Sequence, residues 1–147
     1  MKSLQKTIYE SIEQKRYSNI ILLNPEENKV LILRRANYMK NFKGMYGFPG
    51  GSIDYKDKNG KDAAIRELEE ETGIKLSWNE EHNCKKYDEI KNKDNSISEY
   101  YITTLESDVD IKLSREHSAY EWFNEQSKKS HKWMPDVFQI IQKVLDK

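Results

Sequence analysis

KDAAIRELEEET, the stretch at residues 61–72, decides how the chain folds, because strong helix formers fill it and Gly73 follows in the position of a C-terminal cap. Wound as a helix at about 100° per residue, the stretch places its apolar side chains on one face. That face consists of Ala64, Ile65, Leu68 and Thr72. It must pack against a core, so this helix anchors the predicted domain.

A neighbouring face of the same helix carries three carboxylates within one turn, those of Glu67, Glu70 and Glu71. Like charges three or four residues apart destabilise a helix by about 0.2–0.5 kcal/mol each. Acids in the last turn also meet the negative end of the helix dipole, at a cost of about 0.3–1 kcal/mol. A divalent cation held by oxygen ligands would offset both costs, which favours Mg²⁺, or Mn²⁺, over Zn²⁺. A solvated acidic face is the alternative that the helix alone leaves open.

A glycine pair precedes this helix in Phe48-Pro49-Gly50-Gly51. A rigid proline followed by two residues without a Cβ lets the backbone approach an ion or ligand closely. A backbone carbonyl of this loop would then join the three carboxylates, which we expect to meet in one coordination sphere. An ordinary turn is the other interpretation of the loop.

Short apolar runs and turn residues divide the rest of the chain into strands and two further helices. The predicted elements are a short helix over 3–16, a hairpin over 18–35, a loop over 36–47, a strand over 74–78, a second hairpin over 85–105, a strand over 120–123 and a helix over 135–146. Strands interleaved with helices predict a mixed α/β fold. Because the sequence has no repeat or low-complexity tract, we expect one domain over residues 1–147.

The composition limits the classes of protein to which the chain can belong. Its 147 residues suit one domain, and 25 basic residues balance 25 acidic ones, so no global field attracts nucleic acid or a membrane surface. A single cysteine, Cys84, excludes an internal disulfide and a Cys-built metal site. No apolar run approaches the roughly 20 residues of a membrane span. No signal segment is evident either, so the expected location is the cytoplasm.

Residues 51–74 resemble the signature of the Nudix hydrolases, G-x5-E-x7-R-E-U-x-E-E-x-G-U with U aliphatic. The core of that signature matches RELEEETGI, residues 66–74, at every fixed position. Residues 46–51, YGFPGG, are similar to the family's W-G-F-P-G-G stretch, with tyrosine in place of tryptophan. One departure lies between these segments: the first acid is Asp57 rather than Glu, and eight residues instead of seven separate it from Arg66.

The resemblance implies an α/β/α sandwich with a mixed central sheet. It also implies Mg²⁺-dependent hydrolysis of the diphosphate linkage in a nucleoside diphosphate joined to another group, with Mn²⁺ as the alternative cofactor. Carried over position by position, it makes metal ligands of Glu67, Glu70, Glu71 and the Gly50 carbonyl. Arg66 would hold Glu67 or its neighbours in place through a charge-assisted hydrogen bond.

The general base varies within this family, so a further acid is needed from outside the signature. Glu116 is the first candidate, because EHSAYEW at 116–122 resembles the stretch before a late strand in members that hydrolyse nucleoside triphosphates or diadenosine tetraphosphate. In the former members a Glu six residues before the Trp lies at the metal centre, which makes Glu116 a candidate metal ligand as well. Glu99, in the second hairpin, is the weaker competitor.

Contacts with the substrate are expected where the first hairpin ends. The resemblance implies a phosphate-binding arginine there, as in many family members, and the candidates are Arg34 and Arg35. Only one of the two can face the site, since successive strand residues point to opposite faces. Tyr46, Phe48 and Trp133 are candidates to stack on a base, with packing in the core as the alternative.

Several kinds of function stay open at this point. Nucleoside triphosphates and dinucleoside polyphosphates fit the sequence about equally well as small-molecule substrates. An RNA 5′-end pyrophosphohydrolase or decapping enzyme would need a basic groove for its RNA, and a net charge of zero gives no support for such a groove. A non-catalytic Nudix-like domain that binds a ligand would typically lose signature acids, and here all three remain. The sequence leaves a homodimer open.

Overall fold

The fold is given by a computed structural model that describes residues 14–127 and 130–146. The helix predicted over 3–16 falls almost entirely outside those residues. In chain order the elements are β1 (Arg16–Asn24), β2 (Lys29–Arg35), β3 (Tyr46–Gly47), β4 (Gly50–Ser52), α1 (Gly60–Thr72), α2 (Trp78–His82), β5 (Lys85–Lys91), β6 (Ile97–Thr104), β7 (His117–Phe123) and α3 (Val137–Leu145). None of the helices in the two described ranges has the length and apolar character that a membrane crossing requires.

The strands of the described residues form one mixed sheet. Its order is β3-β2-β1-β6-β5, with β4 paired to β1 and β7 paired to β2. β1 and β6 run parallel, whereas the other strand pairs are antiparallel. The hairpins predicted over 18–35 and 85–105 are confirmed as β1–β2 and β5–β6.

Helices cover both faces of this sheet. Successive residues of β1 alternate sides, so Ile20 packs towards α1 while Ile21 packs towards α3. The buried partners on the α1 side include Leu31, Leu33, Ala64 and Leu68. Those on the α3 side include Val30, Ile32, Val137, Ile140 and Ile141. The predicted α/β/α sandwich with a mixed central sheet is therefore confirmed.

The two ends of α1 are capped, which fixes where the helix begins and ends. The Asn59 side chain accepts the backbone N–H of Asp62 at 2.9 Å. Gly73 has φ 75°, a left-handed conformation that favours glycine, and its N–H donates to the Glu69 carbonyl. The helix predicted over 61–72 and its glycine cap are thus confirmed, with one further residue at the start.

The strand predicted over 74–78 is wrong. Residues 74–77 have no regular structure, and α2 begins at Trp78. The Ser77 side chain accepts the backbone N–H of Glu80, and the Glu80 carboxylate accepts the backbone N–H of Ser77. This reciprocal capping box is a local signal for the start of a helix, and it outweighs the strand-forming side chains around it.

Two predicted bounds shift because of strand pairing and backbone geometry. The strand predicted over 120–123 begins earlier, at His117, since the pairing of β7 with β2 extends as far as Arg35. The last helix begins at Val137, not at residue 135, because Asp136 has φ 69° and a left-handed residue does not continue a right-handed helix.

Truncation of the buried face of α1 tests this packing. Leu68 is fully buried between the helix and the sheet, so Leu68→Ala should lower the free energy of unfolding by about 2–5 kcal/mol. Chemical denaturation measures the loss. The control is Glu69→Ala, an exposed position on the same helix, where a change within about 0.5 kcal/mol is expected. Equal losses in the two variants would contradict the packing described.

Candidate active site

One face of α1 and the loop before β7 supply a group of four carboxylates, here called the acidic cluster. The acidic cluster consists of Glu67, Glu70, Glu71 and Glu116. Glu71 is 5% exposed, and its Oε1 accepts the backbone N–H of Gly50 at 2.9 Å. Burial raises the pKa of Glu71 to about 9, although the Gly50 N–H acts to lower it. The carboxylates of Glu67 and Glu116 raise this pKa further, while the charge of Arg35 lowers it.

The glycine loop lies directly against two of these carboxylates. A Cβ added at Gly51 would lie 2.6 Å from Oε1 and 2.9 Å from Oε2 of Glu67. A Cβ added at Gly50, whose amide binds Glu71, would lie 2.4 Å from the carbonyl oxygen of Ser18. Neither position accepts a side chain unless a neighbour moves. The two glycines therefore form one wall of the acidic cluster.

Arg66 ties the acidic cluster to the loop before α1. Its Nε and Nη2 donate to the two carboxylate oxygens of Asp57 at 3.0 and 2.9 Å. Its Nη1 donates to Oε1 of Glu67 at 3.0 Å, the contact that the resemblance implies. The bonds with Arg66 hold the pKa of Asp57 below its usual value, and those with Asp57 raise the pKa of Arg66. The longer loop still delivers a carboxylate to Arg66, with Asp57 in place of glutamate.

Glu70 pairs with Arg66, whose Nη1 also binds Glu67. Its side chain is 57% exposed, and both of its oxygens lie 3.3 Å from Nη1 of Arg66. In the part of the chain that the structure describes, no three acidic, histidine or cysteine side chains surround a common point as metal ligands. The ligand roles of Glu67, Glu70 and Glu71 stay a prediction, since in this arrangement Glu70 pairs with Arg66 instead of completing a common coordination sphere. The reason is electrostatic, because the guanidinium one turn earlier supplies the positive charge nearest to Glu70.

The donor chemistry nevertheless fits a hard divalent cation. Every candidate ligand is an oxygen atom, the type that Mg²⁺ and Mn²⁺ prefer. The Glu71 carboxyl is buried beside other acids and forms no ion pair with any described residue. A cation would supply the compensation that a buried carboxylate otherwise lacks. The exposed Glu70 can approach the others by a change of side-chain rotamer.

Main-chain hydrogen bonds bring Glu116 to the C-terminal end of α1. The backbone N–H of Ser114 donates to the Glu71 carbonyl, and that of Lys112 donates to the Thr72 carbonyl, both at 2.9 Å. These amides satisfy carbonyls that the end of a helix leaves without partners. Two residues beyond Ser114, the Glu116 side chain is exposed, and its charge raises the pKa of Glu71. Glu116 thus lies within electrostatic range of the helix acids.

Glu99, the competing candidate for the base, lies at the opposite end of α1. It is buried, and it accepts hydrogen bonds from Tyr101 Oη at 2.5 Å and Arg16 Nη1 at 3.0 Å. A Cβ added at Gly60, the first helical residue, would lie 2.3 Å from Glu99 Oε1. At 1.5 Å per residue, Gly60 and Glu71 are roughly 16 Å apart along the helix. Glu99 therefore belongs to a structural network at the helix N-terminus.

The two adjacent arginines at the end of β2 diverge. The charge of Arg35 acts on Glu71, so Arg35 faces the acidic cluster. Arg34 lies on the other side, where its guanidinium donates to Ser118 Oγ at 2.7 Å and to Asn37 Oδ1 at 3.1 Å. The alternation of side chains along a strand accounts for this divergence.

The three aromatic candidates differ in their surroundings. Phe48 is 6% exposed and packs edge-to-face on Tyr100 in the α3-side core, so it is a core residue and not a stacking platform. Trp133 is half-buried and stacks on His131. Tyr46 is half-buried, lies edge-on to His131 at 4.5 Å, and lines a cleft.

Sequence patterns assign no settled role to Asp57 and none to Lys132, which lines the same cleft as Tyr46. The signal for Asp57 is its acidity close to the position of the signature's first acid. No comparable signal marks Lys132, because only the fold brings it beside the end of β2.

The sandwich architecture and the arginine-braced acidic helix together define a Nudix-type α/β domain. Comparison with known families agrees, because the NUDIX domain matches residues 14–144. The chain belongs to the Nudix family.

Curated relatives named as hydrolases match a shorter stretch of the chain. The m7GpppN-mRNA hydrolase NUDT17 of Danio rerio is 40% identical over 60 residues, which are 41% of this chain and 20% of that protein. The peroxisomal coenzyme A diphosphatase 1 of Saccharomyces cerevisiae is 38% identical over 64 residues, 41% of this chain and 19% of that protein. The aligned part is thus about a fifth of each relative's length.

A solved structure shares nearly the whole fold. The NUDIX domain of Shewanella oneidensis NrtR, complexed with ADP ribose, has a TM-score of 0.72 and 18% identity, covering 96% of this chain and 97% of that one. At this level of identity the likeness concerns the fold.

Proposed function

We propose that the chain hydrolyses the diphosphate linkage of a small nucleotide, a nucleoside diphosphate joined to another group, with Mg²⁺ as cofactor and Mn²⁺ as the alternative. The observation that carries this proposal is the buried Glu71 carboxyl, held by the Gly50 amide beside Glu67 and Glu116. A buried acid without an ion pair is costly, so the position of Glu71 beside two further carboxylates favours a site that works with a cation.

The proposed metal ligands are Glu67, Glu70, Glu71, Glu116 and the Gly50 carbonyl. When bound, the ion would neutralise charge on the phosphate oxygens and lower the pKa of the attacking water. Arg66 orients Glu67 through its 3.0 Å hydrogen bond. Arg35, on the same side as Glu71, supplies positive charge for a phosphate group.

Glu116 is the proposed general base. Its side chain is exposed, so water reaches it, and it lies within electrostatic range of Glu67 and Glu71. A carboxylate in this position can take the proton from water as the oxygen attacks phosphorus. The hydrolysis would leave two phosphorylated products, one of them a nucleoside phosphate.

A second candidate is hydrolysis at the capped 5′ end of RNA, which the name of the Danio rerio relative favours. The balanced charge of the chain gives this candidate no electrostatic support, since 25 basic residues meet 25 acidic ones. A purely ligand-binding role is less well supported, because the signature acids and the contacts of Arg66 are all present.

A substrate screen tests the proposal. The full chain would be incubated with Mg²⁺ and a panel of nucleoside triphosphates, dinucleoside polyphosphates, nucleoside diphosphate sugars and capped RNA, and the products separated by chromatography. We expect cleavage within a diphosphate linkage of at least one small nucleotide, and loss of that cleavage when a chelator is added. Cleavage of capped RNA alone would favour the second candidate.

Metal binding should also be visible without turnover. An ion that binds only the folded chain stabilises it, by about 2.7 kcal/mol at a hundredfold excess over Kd. We expect Mg²⁺ or Mn²⁺ to raise the Tm of the wild type and of Glu69→Gln, an exposed position on the same helix. The Tm of Glu71→Gln should respond much less. An equal response in all three proteins would remove Glu71 from the ligand set.

Gly50 and Gly51, which form one wall of the acidic cluster, offer a further test, because an alanine at each position should have a different effect. The methyl group of Gly51→Ala would meet only the flexible end of Glu67, so this variant should lower kcat by about 10- to 100-fold with little change in Tm. The methyl group of Gly50→Ala would meet the Ser18 backbone, so that variant should lose about 1–3 kcal/mol of stability. Calorimetry and steady-state kinetics separate the two effects. Full activity in Gly51→Ala would show that the position of Glu67 is unimportant.

A further inference from the structure

A second site lies beside the end of β2, on the side of the sheet opposite to the acidic cluster. It is a cleft of about 620 Å³, within the size range of small-molecule sites. Its wall includes Arg34, Lys43, Tyr46, Ser130, His131 and Lys132. The charged side chains of this wall are basic, whereas those of the acidic cluster are carboxylates.

Three positive charges converge on the cleft without counter-ions. Among the described residues, neither Arg34 nor Lys43 nor Lys132 forms an ion pair. The hydrogen bonds of Arg34 go to neutral oxygens, Ser118 Oγ and Asn37 Oδ1, which orient the guanidinium and leave further N–H donors unused. Like charges gathered in one cleft repel one another, so the arrangement favours an anion between them.

A carboxylate that contacts this wall is already engaged. Glu121 Oε1 lies 2.9 Å from Nε2 of His131, whose side chain is 6% exposed. The Nδ1 atom of His131 is buried and has no hydrogen-bond partner among the described residues. Glu121 therefore does not compensate the three cations. Nδ1 of His131 remains a buried polar atom of the wall without a hydrogen-bond partner among the described residues.

The cleft and the acidic cluster are neighbours around the end of one strand. Arg34 faces the cleft and Arg35 faces Glu71, although the Cα atoms of adjacent residues are only about 3.8 Å apart. Tyr46 lines the cleft, and the same loop continues to Gly50, which contacts the cluster. An extended ligand with its diphosphate at the cluster would reach the cleft with its far end.

We propose that this cleft is an anion subsite that binds a phosphate group of the substrate remote from the diphosphate that is cleaved. The inference rests on the proposed function and deepens it. It favours nucleotides with a further phosphate beyond the scissile linkage, such as dinucleoside tetraphosphates, over nucleoside diphosphate sugars, whose two phosphates both belong to that linkage.

Anion binding is measured first, independently of turnover. Inorganic pyrophosphate is titrated calorimetrically into the full chain in the presence of a chelator. Losing the charge-assisted bonds of two lysines should weaken binding at least about 10-fold in Lys43→Gln/Lys132→Gln. The control Lys91→Gln/Lys93→Gln removes the same charge from exposed positions on and beside β5, and its Kd should stay within about twofold of wild type. Lys43→Arg/Lys132→Arg should bind like the wild type, which excludes misfolding as the cause.

Equal pyrophosphate binding by both Lys→Gln double variants, or none by the wild type, overturns the inference. The kinetic counterpart compares kcat/KM for a dinucleoside tetraphosphate and a nucleoside diphosphate sugar. The ratio of the two should fall about 10-fold in Lys43→Gln/Lys132→Gln, and an unchanged ratio contradicts the remote position of the phosphate.

If the wild type hydrolyses nucleotides but the Lys43→Gln/Lys132→Gln variant binds pyrophosphate normally, the proposed subsite is wrong and the proposed function stands. If binding is lost as expected but no nucleotide is hydrolysed, the anion site stands and the proposed function fails.

Discussion

Glu71→Gln should lower kcat by about 10²–10³ or more while the protein stays folded. The carboxyl group of Glu71 is the most buried of the acidic cluster, and the Gly50 amide fixes its orientation. Glutamine keeps the size and one acceptor oxygen, so the hydrogen bond from Gly50 can persist. The negative charge that would bind the cation is lost, and with it the proposed source of electrostatic catalysis.

A loss of stability should not account for the lower kcat of Glu71→Gln. Burial, with the charges of Glu67 and Glu116, raises the pKa of Glu71 to about 9, so near pH 7 the metal-free wild type holds a neutral acid there and the neutral glutamine adds no repulsion. We therefore expect a Tm equal to or above that of the metal-free wild type. Glu69→Gln, on the exposed side of the same helix, serves as the control and should retain full activity. Normal turnover by a folded Glu71→Gln protein would refute its assignment as a ligand.

Glu116→Gln should lower kcat by about 10²–10⁴, the usual cost of losing a general base. Glutamine preserves size and hydrogen bonding but cannot accept the proton from water. Because the substrate still binds, KM should change little. The measurement is steady-state kinetics on the best substrate from the screen, with circular dichroism as a check of folding.

Glu99→Gln is the control for Glu116→Gln. Glu99 is held by Arg16 and Tyr101 at the far end of α1, so its loss should reduce stability more than activity. If Glu99→Gln abolishes turnover in a folded protein and Glu116→Gln does not, the base assignment moves to Glu99. If neither variant loses activity, the base lies within the signature, with Glu67 as the first candidate.

Local signals explain why the central helix could be predicted. Helix propensity, the spacing of Ala64 and Leu68, and the glycine after Thr72 all act within a few residues of one another. Local signals also explain why the strand predicted over 74–78 is wrong. The Ser77–Glu80 capping box is also local, but strand-forming side chains next to it suggested an element that the cap excludes.

The site was predictable only where it depends on one helix. The spacing of Glu67 and Glu71 follows from helix geometry, and the contact of Arg66 with Glu67 is between adjacent residues. The approach of Glu116 depends on amides from a distant loop that cap the end of α1. No periodicity in the sequence encodes that contact, so only the resemblance suggested it.

Side-chain orientation was the least predictable feature. Glu70 is on the expected helix face, yet its carboxylate pairs with Arg66 because that guanidinium is its nearest positive charge. Phe48 looked equally suited to stacking and to the core, and the choice depends on packing against Tyr100 from another strand. The cleft around Lys132 likewise arises from contacts between segments far apart in sequence.

Hydrolysis in water enriched in heavy oxygen, followed by mass spectrometry of both products, tests the central claim most directly. Wild type and Glu71→Gln would be compared on the best small nucleotide, with Mg²⁺ and with chelator. We expect the wild type with Mg²⁺ to place one heavy oxygen on a phosphate of one product, and chelator or Glu71→Gln to abolish almost all of this labelling. Undiminished labelling by Glu71→Gln, or labelling that persists in chelator, would contradict this expectation.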